Sequence, residues 1–305
     1  MIALLPAPLR GCLTGFLLGL NTLVLATCMI PPALVKLLVP TQGVRRLCDR
    51  ALNGLASTWV GNNNAWIAAV RKSTWDVQGV DKLHPRGWYL VSCNHQSWVD
   101  ILVLQRIFHG HIPFLKFFLK QEMIWVPVIG LAWWALDFPF MKRGKGQGAR
   151  HNDLKTTRQA CEKFKLIPTT VINFVEGTRF TRAKHAAQKS PYRHLLKPKI
   201  GGLGIALAAM GEQFEALLDV TIVYPHGTPT FWDLLSGRLD AVIVRVQQCP
   251  IPPEVLGSDP VADKAYRQRI GQWVDGQWTD KDQLIDQLLP PGARRTGAGA
   301  APPGG

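Results

Sequence analysis

Short apolar runs alternate with longer helical or polar stretches from about residue 74 to residue 250, an alternation that is typical of an α/β domain. Five runs rich in β-branched and aromatic residues predict strands at 88–93, 138–141, 169–175, 220–224 and 241–246. Four segments with helical spacing predict helices at 98–108, 152–165, 201–211 and 261–288. We therefore expect a mixed, mainly parallel sheet that is flanked by helices.

A long apolar segment precedes this domain, with no charged residue in the 25 positions between Arg10 and Lys36. At about 1.5 Å per residue, a helix that stops before Pro31 and Pro32 just reaches the roughly 30 Å needed to cross a bilayer. The proline pair should break or sharply kink that helix, because it removes two backbone donors and restricts the residue before it. A membrane span and a re-entrant hairpin both fit this pattern. A cleaved signal peptide fits less well, since no clear cleavage site follows.

The next segment has apolar residues at every third or fourth position, which predicts one amphipathic helix. Its apolar face should contact either lipid or the domain that follows. The residues of this face are Val44, Leu47, Cys48, Ala51, Leu52, Leu55 and Trp59. Basic residues are more frequent after the long apolar stretch than before it, so the positive-inside tendency places the following domain in the cytoplasm.

These patterns divide the chain into four parts. They are a membrane anchor (1–40), an amphipathic helical segment (41–73), one folded domain (74–289) and a disordered tail (290–305). The tail is rich in Gly, Pro and Ala and has no apolar periodicity. Within the domain, residues 123–136 form a charge-free stretch of 14 residues, which is too short to cross a bilayer and is predicted to be buried or interfacial.

The positive charge is concentrated in one region. The chain has 35 Lys and Arg against 21 Asp and Glu, and residues 142–199 hold 15 of the basic residues but only three acidic ones. An acidic partner should bind there. Nucleic acid is a poor candidate, because no recognised binding module is present and the apolar N-terminus indicates lipid. The six cysteines are scattered, without a C-x-x-C pair, which argues against a metal site or a disulfide framework and fits a reducing compartment.

His95 and Asp100 are the first candidate pair for chemistry. His95 follows the strand predicted at 88–93, and Asp100 falls in the first turn of the next helix, so a folded loop can bring them together. A carboxylate on one imidazole nitrogen orients the ring and leaves the other nitrogen free as a general base. Taken alone, a His and an Asp at this spacing are usually a coincidence.

Two further elements follow along the chain. The run FVEGTRF at 174–180 ends an apolar strand, where Gly177 permits a close backbone approach to a ligand and Arg179 offers a planar fork for phosphate. The run DFPFMKR at 137–143 ends in Lys142 and Arg143. Each element alone is also compatible with an ordinary strand end that carries solvated basic residues. No G-x-S-x-G elbow or phosphate-binding loop is present, which argues against a serine hydrolase and a nucleotide hydrolase.

Together and in this order, the three elements resemble the glycerolipid acyltransferase superfamily, typified by 1-acylglycerol-3-phosphate acyltransferases. The matching positions are Asn94, His95 and Asp100 for the first motif, Phe138–Arg143 for the second, Phe174–Arg179 for the third, and Lys199 with Gly201 downstream. Two positions depart from the pattern. Val175 stands where proline is usual, and the fourth motif at Val220–Pro225 is loose, with Tyr224 before the proline.

The resemblance implies the glycerolipid acyltransferase fold and transfer of an acyl group from acyl-CoA or acyl-carrier protein to a lysophospholipid hydroxyl, without a cofactor or metal. His95 would be the general base and Asp100 its partner. The residues implied in binding the acceptor are Arg143, Glu176, Gly177, Thr178, Arg179 and Lys199. A bacterial inner-membrane protein with its catalytic domain on the cytoplasmic side is expected. The alternatives are a non-catalytic protein of the same fold that binds anionic lipid, and an acyltransferase that uses glycerol 3-phosphate or another acceptor.

Overall fold

The computed structural model describes residues 4–39, 41–70, 73–138, 140–141, 168–257, 260 and 263–293. The strands are β1 (Thr74–Gln78), β2 (Tyr89–Cys93), β3 (Leu115–Phe117), β4 (Leu119–Lys120), β5 (Phe140–Met141), β6 (Thr170–Phe174), β7 (Ala216–Val223) and β8 (Ala241–Cys249). The α-helices are α1 (Ala7–Leu38), α2 (Gln42–Val70), α3 (Val99–Phe108), α4 (Ile129–Ala135), α5 (Arg182–Gln188), α6 (Gly201–Met210), α7 (Phe231–Leu235) and α8 (Lys264–Leu288). Short 3₁₀ turns lie at Gln121–Trp125, Gly211–Gln213, Pro253–Val255 and Pro291–Ala293.

Six strands form the main sheet in the order β1-β8-β7-β2-β6-β3. All neighbouring pairs are parallel except β7 and β8, which are antiparallel. The predicted mixed, mainly parallel sheet is therefore confirmed. The remaining strands, β4 and β5, form a separate parallel pair. Because β2, β6 and β7 are parallel neighbours, their carboxyl ends meet at one edge of the sheet, the usual place for a ligand site in an α/β fold.

Both faces of the sheet are buried. Residues of β2 point alternately to the two sides, as the period of two in a strand requires, so that Val91 packs on the side of α3 and Leu90 on the side of α6 and α8. The helices predicted at 98–108, 201–211 and 261–288 are confirmed as α3, α6 and α8, whereas the one at 152–165 lies outside the described residues. These helices cover the sheet and leave its carboxyl edge to the loops.

Helix α1 runs without a break from Ala7 to Leu38 and includes Pro31 and Pro32. The predicted break at the proline pair is therefore wrong. The φ angle of proline is compatible with a helix, so the cost is confined to lost hydrogen bonds and local crowding. Packing offsets this cost, because Met29 and Ala33 are buried in one apolar cluster with residues of α2 and α4.

Helix α2 extends the predicted amphipathic helix to Val70 and turns a slightly different face inward. Leu47 is exposed, whereas the buried residues are Cys48, Leu52, Ala56, Val60, Asn63, Ile67 and Val70. A polar network joins α2 to α1. Asn21 Nδ2 donates to Asn63 Oδ1 at 2.7 Å, and Trp59 Nε1 donates to Thr22 Oγ1 at 3.0 Å. These bonds set the register of the two helices.

Both ends of α1 also contact the domain that follows. Near the N-terminus, Arg10 Nε donates to the carbonyl oxygen of Ser236 at 2.8 Å. Near the C-terminus, Lys36 Nζ pairs with Asp49 of α2 at 2.6 Å and with Asp137, just after α4. Within the described residues, α1 is the one helix that is long and apolar enough to cross a membrane by length and composition. It is also fastened along the side of the domain.

Candidate active site

The loop after β2 carries His95 and is fastened to the neighbouring strand β7. The Asn94 side chain donates to the carbonyl oxygen of Ile222 at 2.9 Å and accepts from the backbone N–H of the same residue at 2.9 Å. Asn94 is fully buried, and its amide replaces a pair of sheet hydrogen bonds at the point where β2 ends. This clamp brings His95 to the carboxyl edge of the sheet.

His95 and Asp100 are in direct contact, as their spacing predicts. His95 Nδ1 lies 2.8 Å from Asp100 Oδ2, and the same oxygen accepts the backbone N–H groups of Gln96 at 2.6 Å and Ser97 at 2.8 Å. Because Oδ2 accepts from these two backbone N–H groups, it also acts as an acceptor towards His95, which places the imidazole proton on Nδ1. Within the described part of the chain, no residue hydrogen-bonds Nε2, so this nitrogen is available as a base.

The imidazole ring is held from the side as well. It stacks on Phe174 at the end of β6, with ring centroids 4.0 Å apart and planes inclined by 18°. The His95 side chain is only 13% exposed, whereas Asp100 is fully buried. The reactive ring is therefore oriented by a carboxylate at one edge and an aromatic face below, and only a small part of it is open to a substrate.

Tyr224, which follows β7, completes the surroundings of Asp100. Its hydroxyl donates to Asp100 Oδ1 at 2.6 Å, on the side of the carboxylate away from His95. Burial and the adjacent charge of Asp100 raise the pKa of Tyr224 well above its ordinary value, so the hydroxyl keeps its proton. Sequence reasoning noted Tyr224 only as a departure from a motif. The available signal was a polar aromatic residue at the end of a buried strand next to β2.

The loop after β6 lies beside the His95 loop and makes a tight turn. The N–H of Gly177 donates to the carbonyl oxygen of Phe174 at 2.8 Å, and Gly177 has a φ of +65°. A Cβ atom at this position would lie 3.0 Å from Lys199 Cδ, a tight contact that the flexible lysine can relieve, so the positive φ is the reason that glycine is favoured here. The Phe180 N–H donates to the carbonyl oxygen of His95 at 2.7 Å, which joins the two loops.

Glu176 lies inside this arrangement and not on its surface. It is 0% exposed, and its two carboxylate oxygens accept the backbone N–H groups of His95 at 2.8 Å and Leu196 at 3.0 Å. Burial raises the pKa of Glu176 to about 7, although the two N–H donors oppose the shift. The resemblance implied that Glu176 contacts the acceptor. Its burial and its two backbone partners indicate instead that it braces the His95 loop and the segment around Leu196.

Arg179 and Lys199 lie at the exposed rim of the site. The Arg179 guanidinium stacks over the ring of Trp98 at 4.7 Å from its centroid, and both side chains are exposed. Lys184 of α5, which the sequence analysis did not single out, donates to Thr178 Oγ1 at 2.7 Å and to the carbonyl oxygen of Arg179 at 3.0 Å. It orders the turn that presents Arg179.

The predicted site residues are brought together as far as the structure describes them. His95, Asp100, Gly177 and Arg179 meet at one edge of the sheet. Arg143 lies outside the described residues. Among the residues that are described, no group of three or more His, Cys, Asp and Glu side chains is arranged to hold a metal ion. The chemistry open to this site is therefore proton transfer by His95 beside a cationic rim.

Comparison with known proteins decides the family. A family profile described as Acyltransferase matches residues 74–227, which contain the His95 loop, the Gly177 turn and Tyr224. The chain belongs to the acyltransferase family. This confirms the resemblance to glycerolipid acyltransferases that the sequence motifs indicated.

Individual relatives of this acyltransferase family member are also named as acyltransferases. The chain is 31% identical over 214 residues to a 1-acyl-sn-glycerol-3-phosphate acyltransferase 2 from Arabidopsis thaliana, which covers 66% of this chain and 51% of the relative. It is 26% identical over 208 residues to the gamma form from Mus musculus, which covers 64% of this chain and 52% of the relative. The chain thus spans about half the length of the curated relatives that it matches.

A solved structure shares the fold of this acyltransferase family member. The crystal structure of the 1-acyl-sn-glycerophosphate acyltransferase PlsC from Thermotoga maritima superimposes with a TM-score of 0.51 at 18% identity. The match covers 88% of this chain and 94% of that one. At this identity the likeness concerns the fold alone, and it confirms the predicted architecture.

Proposed function

We propose that this protein transfers a fatty acyl group from an acyl thioester to the free hydroxyl of lysophosphatidic acid or a related lysophospholipid. The observation that carries the proposal is His95, whose Nε2 has no hydrogen-bond partner among the described residues. Buried Asp100 orients its ring, and its loop is bonded to the turn that presents Arg179. The acceptor is chosen because the relatives are named 1-acyl-sn-glycerol-3-phosphate acyltransferases.

The proposed mechanism is a direct transfer. His95 Nε2 takes the proton of the acceptor hydroxyl while the oxygen attacks the thioester carbonyl carbon. The imidazolium that forms is stabilised by Asp100, 2.8 Å from Nδ1. When the tetrahedral intermediate collapses, the C–S bond breaks and the thiol leaves with the proton from His95. No acyl-enzyme intermediate is required, so base and acceptor must be positioned together.

The acceptor phosphate would bind at the rim formed by Arg179 and Lys199, beside the turn at Gly177. Residues 177–199 contain seven Lys and Arg and no Asp or Glu, so the local potential attracts an anion. The guanidinium presents parallel N–H donors that match phosphate oxygens, and its stacking on Trp98 restricts its motion before the ligand arrives. Arg143 stays a further prediction for this subsite.

Arg179→Ala should raise the KM for lysophosphatidic acid about 10- to 100-fold and leave the KM for the thioester within about twofold, because a charge-assisted phosphate contact is lost. Steady-state kinetics on the purified protein in lipid vesicles measures both constants. Arg269→Ala is the matched control, since that exposed guanidinium also lies over a ring, that of Tyr266, but on α8. A change confined to the thioester KM, or an equal change in both variants, would refute the assignment.

The same assay separates the proposed donors and the rival functions. Acyl-CoA and acyl-carrier protein are each offered with lysophosphatidic acid or with glycerol 3-phosphate as acceptor. Turnover with lysophosphatidic acid supports the proposal. Turnover with glycerol 3-phosphate and not with lysophosphatidic acid would show that glycerol 3-phosphate is the acceptor instead. Retention of anionic lipid without turnover from any thioester would identify a non-catalytic lipid-binding protein.

Helix α1 supports a membrane location, and we propose that it lies in one leaflet. Its outward face is apolar and continues into Trp125, Leu131 and Trp134, which are also exposed. The exposed apolar residues of α1 are Leu9, Phe16, Leu20, Leu23, Val24, Ile30, Leu34, Val35, Leu37 and Leu38. A helix that crossed the bilayer would have its ends on opposite sides, yet Arg10 and Lys36 both bond to the rest of the domain. This argues against a membrane span, and the unbroken course of α1 also differs from the re-entrant hairpin.

Cysteines introduced singly at Leu5 and Val39, in a cysteine-free background, test this topology. Both should react with a membrane-impermeant maleimide from the side of the bilayer that also exposes the catalytic domain, because the two ends of α1 lie on that side. Labelling of Leu5→Cys and Val39→Cys from opposite sides would establish a membrane span. The bacterial inner membrane and the cytoplasmic orientation stay predictions.

A further inference from the structure

Tyr224 contacts the catalytic pair only through Asp100. Its hydroxyl donates to Asp100 Oδ1 at 2.6 Å, while the three other donors to this carboxylate, His95 among them, all use Oδ2. Within the part of the chain that the structure describes, Tyr224 is the one partner of Oδ1. The two carboxylate oxygens therefore have different donors, and among the described residues Oδ1 accepts only from the Tyr224 hydroxyl.

A buried carboxylate needs that hydroxyl for its orientation. Asp100 is fully buried, so no solvent can replace a missing donor at Oδ1. Without the hydroxyl, the carboxylate gains by turning Oδ1 towards the donors at Oδ2, and that rotation disturbs the bond to His95. The Tyr224 hydroxyl opposes the rotation because it holds Oδ1 from the far side.

We propose that Tyr224 is a positioning residue of the acyl-transfer site, whose hydroxyl holds the Asp100 carboxylate in the orientation that makes His95 a base. The inference rests on the proposed function. Burial and the charge of Asp100 raise the pKa of Tyr224, so the hydroxyl remains a donor throughout the working pH range. The fourth motif, loose in sequence, thus supplies a polar contact to the first.

Other ionisable groups around the pair are the same in wild type and variant. Glu176 faces the His95 loop from the end of β6, and burial raises its pKa to about 7. Burial raises the pKa of the Cys93 thiol, which stays neutral. Lys281 of α8 is paired with Asp219 at 2.9 Å on the other side of Cys93. A difference between variant and wild type therefore reports on Tyr224.

Tyr224→Phe removes only the hydroxyl and tests the proposal. We expect kcat to fall about tenfold, with both KM values within about twofold, because binding residues are untouched. Tyr266→Phe is the matched control: this tyrosine is also buried, and its hydroxyl donates to the carbonyl oxygen of Val255 at 2.9 Å, outside the site. This control should keep kcat.

A coupling measurement adds an independent readout. In an Asp100→Asn background, Tyr224→Phe should reduce kcat less than it does in wild type, because the two residues act through one bond. Unchanged kcat, equal losses in both Tyr→Phe variants, or full additivity with Asp100→Asn would each overturn the inference. If wild type itself transfers no acyl group, the proposed function fails and the inference with it. An active wild type matched by Tyr224→Phe overturns the inference alone.

Discussion

Replacing His95 with alanine should lower kcat for acyl transfer at least about 1,000-fold, because no other described side chain stands ready to take the proton of the acceptor hydroxyl. The variant should still fold. Asp100 keeps three of its four donors, the N–H groups of Gln96 and Ser97 and the hydroxyl of Tyr224, so no buried carboxylate is left unsatisfied. The change therefore isolates the chemical step from the structure around it.

Transfer of a labelled acyl group to lysophosphatidic acid measures the loss in the His95 variant, and circular dichroism with vesicle flotation shows that the protein remains folded and membrane-bound. His111→Ala serves as control, since that exposed histidine lies in the turn after α3. It should keep the wild-type rate. Full activity in His95→Ala would remove the general base from the mechanism, whereas equal losses in both variants would indicate a non-specific defect.

Asp100→Asn should lower kcat about 100-fold or more while the fold is retained. The amide oxygen can still accept from the N–H groups of Gln96 and Ser97, and the amide N–H can donate to the Tyr224 hydroxyl, which rotates to accept. What disappears is the negative charge 2.8 Å from His95 Nδ1. The imidazolium that forms during proton transfer then loses its stabilisation, so the rate falls although the contacts remain.

Single-turnover rates are the best measure for Asp100→Asn, because they report the chemical step without product release. The matched control is Asp233→Asn in α7. Asp233 also accepts backbone and side-chain donors, from Thr230, but in a capping box outside the site. Its replacement should lower thermal stability slightly and leave the single-turnover rate intact. A kcat within about threefold of wild type in Asp100→Asn would show that the carboxylate charge is not used.

The main strands and helices of the domain were predictable because apolar periodicity is a local property. Two strand predictions were incomplete, and each has a physical cause. Strand β1 lies at the edge of the sheet and is only partly buried, so its apolar signal is weak. Strand β7 begins at Ala216, four residues before the predicted start at 220, because pairing with β2 and β8 extends it into residues of low strand propensity.

The chemistry of the site was only partly predictable. His95, Asp100 and Arg179 stand in recognisable motifs, so their residue types and order were enough to predict that they lie at one site. The role of Tyr224 depends on a contact across 124 positions, and the burial of Glu176 depends on two loops that are distant in sequence. Periodicity carries no information about such contacts. The break predicted at the proline pair in α1 was wrong for the same reason, because packing against α2 and α4 outweighs the local tendency of proline to end a helix.

The bond between the Phe180 N–H and the carbonyl oxygen of His95 has a consequence for regiochemistry. It ties His95, the proposed proton acceptor, to the turn that is proposed to bind phosphate, and Glu176 braces the same two loops. The distance between His95 and the Arg179 turn is therefore fixed by the fold. Under the proposed mechanism, an acceptor is selected by how many bonds separate its hydroxyl from its phosphate, before the length of any acyl chain is sensed.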